Sequence, residues 1–373
     1  MSTDSQDTDF RYEGYLIFNE IFKVEISENS EFSHGAETAQ QRLEEGAEAF
    51  TEDDQTSNHR IETLNDLVDS EGRFETYVSD SLNPSDLVPM RLFYEERINT
   101  EGYLPGESRL REIELPTTSD ADIYWIYPDR LYIRGSEDDT EEAADFLTNK
   151  MDARVVEQTQ EDHRHDQRDD PRTDGGADSS HIHHPITLTD VSLSGDFLIW
   201  LFHKHFRGSS LPSWSRINVN RLTDAAVSGS TDIWGGDNSV GKTTDLIESP
   251  PLLSSILKNK HIEMIEGNFT SDDFSIKSKM QINKLHIKAS TEDIKKANKR
   301  KRMAYSLLFL QELSNLHQHW VSLSPSRKYP DYDFFRELYN KSDDNGLTVD
   351  HISRTLRRRY RDLRNESDRD WGL

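Results

Sequence analysis

The densest group of chemically useful side chains is a run of basic residues between positions 276 and 302. The run contains ten lysine and arginine residues and two acidic residues, Glu292 and Asp293. The ten are Lys277, Lys279, Lys284, Lys288, Lys295, Lys296, Lys299, Arg300, Lys301 and Arg302. Ammonium and guanidinium groups that cluster on one surface attract phosphate oxygens. This run therefore predicts contact with the phosphate backbone of DNA or RNA.

Two predicted strands position the first four of these lysines. Apolar and basic side chains alternate through residues 274–282 and 285–289, and successive side chains of a strand point to opposite faces. The pattern predicts a hairpin with one apolar face and one basic face. A capping signature, Ser290-Thr-Glu-Asp, then predicts a long helix from about 291 to 323, which carries the other six bases.

The last predicted helix, residues 348–363, is a second basic element. Its apolar side chains share one arc of the helix, and Arg354, Arg358 and Arg361 lie roughly opposite, with Arg357 nearer the flank. Guanidinium groups suit phosphate oxygens, so these arginines are expected to support the same contact. An arginine-rich face that is only solvated fits the pattern equally well.

The charge of the chain is divided unevenly. Residues 1–185 contain 46 acidic and 16 basic residues, whereas residues 186–373 contain 24 and 28. An acidic, lysine-poor surface keeps a protein hydrated, as in organisms with a salty cytoplasm. A segment that returns to net positive charge departs from that background. Besides a nucleic acid, its partner could be an acidic protein surface, either on the first half of this chain or on another subunit.

A glycine-rich segment matches the phosphate-loop pattern through Gly236, Gly241, Lys242 and Thr243. In such a loop the backbone amides cradle phosphates, the lysine reaches the outer phosphates and the hydroxyl binds magnesium. The sequence context is poor, because no buried strand precedes the segment and Pro250 would end the helix after it. The match still predicts phosphate contact by this loop. A nucleoside triphosphatase or a metal-dependent nuclease is a less favoured alternative for the whole chain.

Other chemistries find little support in the sequence. The absence of cysteine excludes disulfides, thiolate nucleophiles and cysteine-ligated metals. Seven of the 14 histidines lie between 163 and 205, mostly in a polar stretch that provides no scaffold for a metal. His203 and His205 fall at the end of a predicted helix, where a protonated imidazole suits the helix dipole. We expect no cofactor and no metal.

The predicted fold class is α+β, with two domains. A disordered N-terminus (1–9) precedes an acidic α+β domain (10–158), a polar His/Asp-rich linker (159–185) and a basic-patch domain (186–373). The second domain is expected to contain a buried helix over 195–206 with Ser194 as its N-cap, a sheet with the lysine-bearing hairpin, and helices after it. Within the first domain, helices are predicted at 36–50, 61–68 and 140–151. Strands are predicted at 12–18, 87–97, 110–115 and 153–156, and residues 123–134 are predicted to form a hairpin with a turn at Pro128-Asp.

These observations favour a cytoplasmic, non-enzymatic protein that contacts nucleic acid through its C-terminal half. The N-terminus lacks the apolar stretch of a secretory signal. The longest apolar run, Phe197–Phe202, is far shorter than the ~20 residues that span a membrane. The alternative is a component of a larger complex, whose basic face docks an acidic protein. Neither DNA nor RNA is preferred, and no base-specific contact is predicted.

Overall fold

The structure is a computed structural model. It describes residues 15–46, 59–64, 83–103, 110–156, 184–208, 211–228, 238–240, 245–272, 274–282, 284–289, 299–344 and 351–373.

The chain divides into two compact units that are interleaved in sequence. The N-terminal unit contains residues 20–63 and 85–191, and the C-terminal unit contains residues 1–19, 64–84 and 192–373. Strand β1 (Leu16–Ile26) contributes residues to both units. Helices and strands are mixed throughout and the strand pairing is mostly antiparallel, so the predicted α+β class is confirmed.

The sheet of the N-terminal unit has the strand order β2-β3-β4-β5-β1, and β1 also pairs with β7. Its further strands are β2 (His59–Thr63), β3 (Leu87–Tyr103), β4 (Leu110–Ile126), β5 (Arg130–Arg134), β6 (Ala153–Val156) and β7 (Ile186–Asp190). The helix predicted at 61–68 is wrong over 61–63, because these residues pair with β3. Ile61 is buried and its neighbours in the strand are half-buried, as in a strand with one buried face. The spacing of the apolar residues had suggested a helix instead.

In the part of this unit that the structure describes, the helices α1 (Ala36–Gly46) and α2 (Glu137–Lys150) cover one face of the sheet. The buried side chains between the helices and the sheet form one apolar core, which includes Leu43, Ile123, Trp125 and Leu147. Ser136 and Asp139 form a capping box at the start of α2, which satisfies two backbone amides. The predicted turn at Pro128 joins β4 and β5, as expected.

The predicted linker at 159–185 falls almost wholly in residues 157–183, outside the described residues. The strands on either side of it, β6 and β7, pair in parallel and belong to the same unit. Adjacent parallel strands need a long crossover connection. The His/Asp-rich segment therefore makes a connection inside the N-terminal unit.

The C-terminal unit is built on an antiparallel sheet in the order β12-β11-β10-β8-β9, and the first residues of β1 pair with β12. The strands are β8 (Asn218–Ser228), β9 (Asn238–Val240), β10 (His261–Thr270), β11 (Ser275–Gln281) and β12 (Lys284–Ala289). Gly267 of β10 follows an irregularity in the pairing with β8.

Among the described residues of this unit, the helices are α3 (Gly195–Phe206), α4 (Pro250–Leu257), α5 (Lys299–Ser322), α6 (Pro325–Lys328), α7 (Tyr332–Asp344) and α8 (Arg354–Arg364). Helix α3 has its predicted bounds and its predicted N-cap, Ser194. Helix α8 begins six residues later than predicted, after the N-cap Ser353. No helix in the described part of the chain combines the length and apolar character needed to cross a membrane.

Candidate nucleic-acid interface

The hairpin of β11 and β12 has the two faces that its sequence predicts. On one face Ile276, Met280 and Ile287 are buried. Lys277, Lys279, Lys284 and His286 are half-buried and alternate with these residues along the strands, so they belong to the other face. Lys288 belongs there by register. We call the four lysines, Lys277, Lys279, Lys284 and Lys288, the lysine face.

The strand register brings the members of the lysine face together. Lys277 stands opposite Lys288, Lys279 stands opposite His286, and Lys284 stands opposite Gln281. Residues directly opposite each other in an antiparallel pair are neighbours. The register therefore groups the four lysines within two adjacent strands.

Acidic residues from neighbouring strands meet one side of the lysine face, and the sequence run did not reveal them. Lys277 forms an ion pair with Glu266 of β10, and Asp224 of β8 stands opposite Glu266. Burial by itself lowers the pKa of Lys277, but the hydrogen bond and the charge of Glu266 outweigh burial, so the pKa is raised. Lys277 is thus a protonated lysine with an internal partner. Lys279 has no ion pair among the described residues.

An imidazole and a phenol extend the lysine face toward β1. The rings of His286 and Tyr15 lie 6.1 Å apart in an edge-to-face arrangement. The pKa of His286 is lowered by burial and by the charges of Lys279 and Lys284. His286 is therefore a neutral, polar member of the surface near pH 7.

Helix α5 begins near the N-terminal end of β11. Tyr305 of α5 packs against Phe274, the residue before β11, with 5.6 Å between the ring centroids. The bases that precede Tyr305 by one or two turns are Lys299, Arg300, Lys301 and Arg302. The structure describes only the backbone of Lys288, Lys299, Arg300 and Lys301, and Lys295 and Lys296 lie outside the described residues.

The arginines of α8 divide into two groups. Arg354 and Arg358 are exposed, and no ion pair involves them within the described residues. The other four are partly exposed and bind other groups of the protein. Arg357 donates to the carbonyl oxygen of Gly372 (2.7 Å), Arg359 to Asp196 (2.7 Å), Arg361 to Asp362 (2.8 Å) and to Asp368, and Arg364 to the carbonyl oxygen of Ser326 (2.6 Å). Of the four arginines predicted to support phosphate contact, Arg357 and Arg361 therefore have internal partners.

The glycine-rich segment lies mostly outside the described residues, including Gly236, Gly241, Lys242 and Thr243. Its central residues, Asn238–Val240, form β9 and pair with β8. Backbone groups in a sheet ladder are committed to their neighbours, whereas a phosphate loop turns successive amides toward its ligand. Phosphate contact by this segment stays a prediction.

The two histidines at the end of α3 differ from each other. His205 lies 3.1 Å from a carboxylate oxygen of Asp245. Burial against the ring of Phe334 lowers the pKa of His203 to about 4, so the expected protonated imidazole is wrong for this residue. Among the described residues, no three His, Asp or Glu side chains are grouped so that they could hold a metal ion.

The comparisons with known proteins give no relatives. No protein-family model matches the chain, and no curated protein matches it.

Proposed function

We propose that the protein binds the phosphate backbone of a nucleic acid through its C-terminal unit. The observation that carries the proposal is the lysine face, in which four lysines from two strands are adjacent by register. The proposal involves no catalytic step. The contact is sequence-independent, because it depends on phosphate oxygens and not on base edges.

The bases at the start of α5 would extend the contact beyond the end of the sheet at which β11 begins, where Tyr305 of α5 packs against Phe274. Phosphate groups recur every few ångströms along a nucleic acid, so a ligand can contact several of these bases at once. Each contact releases condensed counterions, which makes binding steeply dependent on salt.

A specific observation favours a second candidate function, docking of an acidic protein. The carboxylate of Glu266 already forms an ion pair with Lys277, so the lysine face accepts a protein carboxylate in at least one position. A partner that presents aspartate and glutamate side chains at suitable spacing would contact the remaining lysines in the same way.

The experiment that tests the proposal measures binding of the full chain to labelled duplex DNA, single-stranded DNA and single-stranded RNA by fluorescence anisotropy. Salt is varied from about 50 to 200 mM, and the logarithm of the association constant is expected to fall linearly with the logarithm of salt. The preferred ligand among the three identifies the class of nucleic acid. Absence of binding to all three at the lowest salt would overturn the proposal.

The same assay, with labelled polyglutamate as the probe, distinguishes docking of an acidic protein from nucleic-acid binding. Nucleic-acid binding predicts that polyglutamate binds much more weakly than the preferred nucleic acid at equal salt. Docking of an acidic protein predicts the reverse order of affinity.

A further inference from the structure

Strands β3 and β4 of the N-terminal unit continue beyond the strands that flank them. Strand β2 pairs with residues 90–94 of β3, and β5 pairs with residues 122–126 of β4. Within the described residues, 95–103 and 110–118 pair only with each other. Strands of this length cover about 30 Å, so the two segments form a two-stranded arm. We call residues 95–103 and 110–118 the β-arm.

One face of the β-arm continues the face of the sheet that α1 and α2 cover. Met90 and Leu92 of β3 belong to the apolar core on that side, and the pairing of β3 with β4 continues from them into the arm in a constant register. Even-numbered residues of β3 and odd-numbered residues of β4 therefore share this face. Its cross-strand pairs within the arm are Glu96 with Thr117, Ile98 with Leu115, Thr100 with Ile113, and Gly102 with Arg111.

The middle of this face is apolar and open to solvent at its centre. Leu115 is 47% exposed, and Thr100 is exposed as well. Ile98 stands directly opposite Leu115, and Ile113 is the next residue of β4 on the same face. A two-stranded ribbon is only marginally stable by itself in water, because it has no core of its own. The β-arm therefore gains stability from any surface that packs against this face.

The opposite face of the β-arm is acidic. By register it carries Glu95, Glu101, Glu112 and Glu114, together with the single base Arg97. Carboxylates stay in water unless they are paired, so this face is the solvated one. Its negative charge also repels phosphate groups. The partner of the β-arm is therefore a protein surface that covers the apolar face.

The order of residues along the apolar face makes it complementary to a second copy of itself. Glu96 lies in the pair nearest to the sheet, and Arg111 lies in the pair nearest to the tip. If two such faces meet with their arms antiparallel, a two-fold axis brings the pair that contains Glu96 against the pair that contains Arg111 of the second copy, at both ends. Leu115 then meets Ile113 of the second copy. The result is a closed, isologous interface with an apolar centre and opposite charges at its ends.

We propose that the β-arms of two copies of this chain pack face to face and antiparallel, and so form a homodimer. The apolar face is about 20 Å long and about 10 Å wide, which is less than the ~800 Å² per partner of a standard interface. The dimer is therefore weak, and its population rises with protein concentration. The proposal is independent of nucleic-acid binding, because it uses only residues of the N-terminal unit.

The test measures the mass of the full chain by sedimentation equilibrium, from low micromolar to submillimolar concentrations at constant salt. The mass of the wild type is expected to rise from that of one chain toward that of two. Leu115→Asp places a carboxylate in the apolar centre and should raise the dissociation constant of the dimer by about tenfold or more. Asn99→Asp adds the same charge at an exposed position on the opposite face, and it should dimerise nearly as the wild type does.

Two charge reversals test the antiparallel arrangement. Glu96→Arg places two arginines together at each end of the dimer, and Arg111→Glu places two glutamates together there, so each variant alone should dimerise at least about tenfold more weakly. An equimolar mixture of the two variants restores opposite charges at both ends. The mixed dimer should form with a dissociation constant within about threefold of the wild-type value. Glu112→Arg makes the same charge change on the opposite face and should dimerise at least as tightly as the wild type.

A wild-type chain that stays monomeric at the highest concentration would overturn the proposal. A dimer that forms equally well with Leu115→Asp and with Asn99→Asp would overturn it too, because that dimer would use another surface. Failure of the mixture of Glu96→Arg and Arg111→Glu to dimerise would overturn the antiparallel arrangement and the proposal with it. Recovery of the dimer in the mixture supports the proposal, since misfolded variants would not recover. No nucleic acid is present in these measurements, so they leave the proposed function to its own test.

Discussion

Lys277 of β11 forms an ion pair with Glu266 of β10, although Glu266 stands opposite Lys279 in the strand register. The pair is therefore diagonal across the two strands. The carboxylate is only 13% exposed, so Glu266 is fixed within the surface. A carboxylate in this position occupies one lysine of the lysine face and repels an approaching phosphate.

We expect Glu266→Gln to raise the affinity of the full chain for duplex DNA. The change removes a negative charge beside three other lysines and frees Lys277 for a phosphate. A unit charge about 4 Å from a phosphate, screened as in bulk water, is worth about 1 kcal/mol, which corresponds to about a fivefold change in affinity. Asp145→Asn on the exposed side of α2 is the control, and equal affinities of the two variants in the anisotropy assay would contradict this expectation.

We expect Asp122→Asn to destabilise the protein strongly, because Asp122 holds two arginines in the N-terminal unit. Arg91 and Arg134 donate to its carboxylate at 2.7 and 2.9 Å, and the side chains of Arg91 and Asp122 are buried. Removing one partner of a buried ion pair leaves an uncompensated charge and costs about 3 kcal/mol or more. Urea unfolding measures this loss.

Asp120→Asn is the matched control for that change. Asp120 lies 3.4 Å from Arg91 but is 44% exposed, and exposed ion pairs contribute about 1 kcal/mol or less. A loss for Asp122→Asn as small as that for Asp120→Asn would show that the network does not stabilise the sheet.

Stability should depend on pH through Glu20 of β1. Burial, together with the charges of Asp190, Glu141 and Glu137, raises the pKa of Glu20 to about 7 from its ordinary 4.5. Between these values the folded protein keeps a proton that the unfolded chain releases, so this group lowers the free energy of unfolding as the pH rises. Glu20→Gln stays neutral and should abolish that fall.

Urea midpoints at pH 4.5 and pH 8 test this expectation. The variant and the wild type should unfold at similar urea concentrations at pH 4.5, and the variant at the higher concentration at pH 8. Glu28→Gln, an exposed position, controls for the loss of one carboxylate. If the difference between the urea midpoints of Glu20→Gln and the wild type is the same at pH 4.5 and pH 8, Glu20 does not cause the pH dependence of stability.

Gly267→Ala should destabilise the sheet beneath the lysine face. A Cβ atom at this position would lie 2.7 Å from the carbonyl oxygen of Arg221 and 2.7 Å from a side-chain carbon of Leu222. Backbone must move to accept it, which costs about 1 to 3 kcal/mol. Thermal unfolding is the measurement, with Thr270→Ala in the same strand as the control, and equal midpoints would contradict the close packing.

The elements predicted correctly from the sequence are those that depend on residues close together in the chain. Helix α3 and its cap Ser194 follow from an apolar run after a serine, and the hairpin follows from two-residue alternation. The register of β10 against β11 has no local signal, so the ion pair between Glu266 and Lys277 was missed. The internal partners of Arg357 and Arg361 were missed because they depend on how the C-terminal residues fold back onto α8.

The contact of α8 with the turn after α4 illustrates the same limit. Leu257 and Ser353 are nearly a hundred residues apart, and no local signal predicts the hydrogen bond between them. No local feature of the sequence predicts that the two units are interleaved along the chain. The polar segment before β7 has the composition of a linker between domains, yet it connects two strands that pair in parallel.

The most direct test of the central claim compares duplex binding by the wild-type chain and by the variant Lys279→Gln/Lys284→Gln across the salt series. The control is Lys150→Gln/Arg154→Gln, which removes two exposed bases from the N-terminal unit. If the lysine face binds phosphates, the first variant loses affinity at low salt and its salt slope decreases by about two steps of 0.9, while the control binds as the wild type does. Equal affinity and equal slope for the two variants would contradict the account.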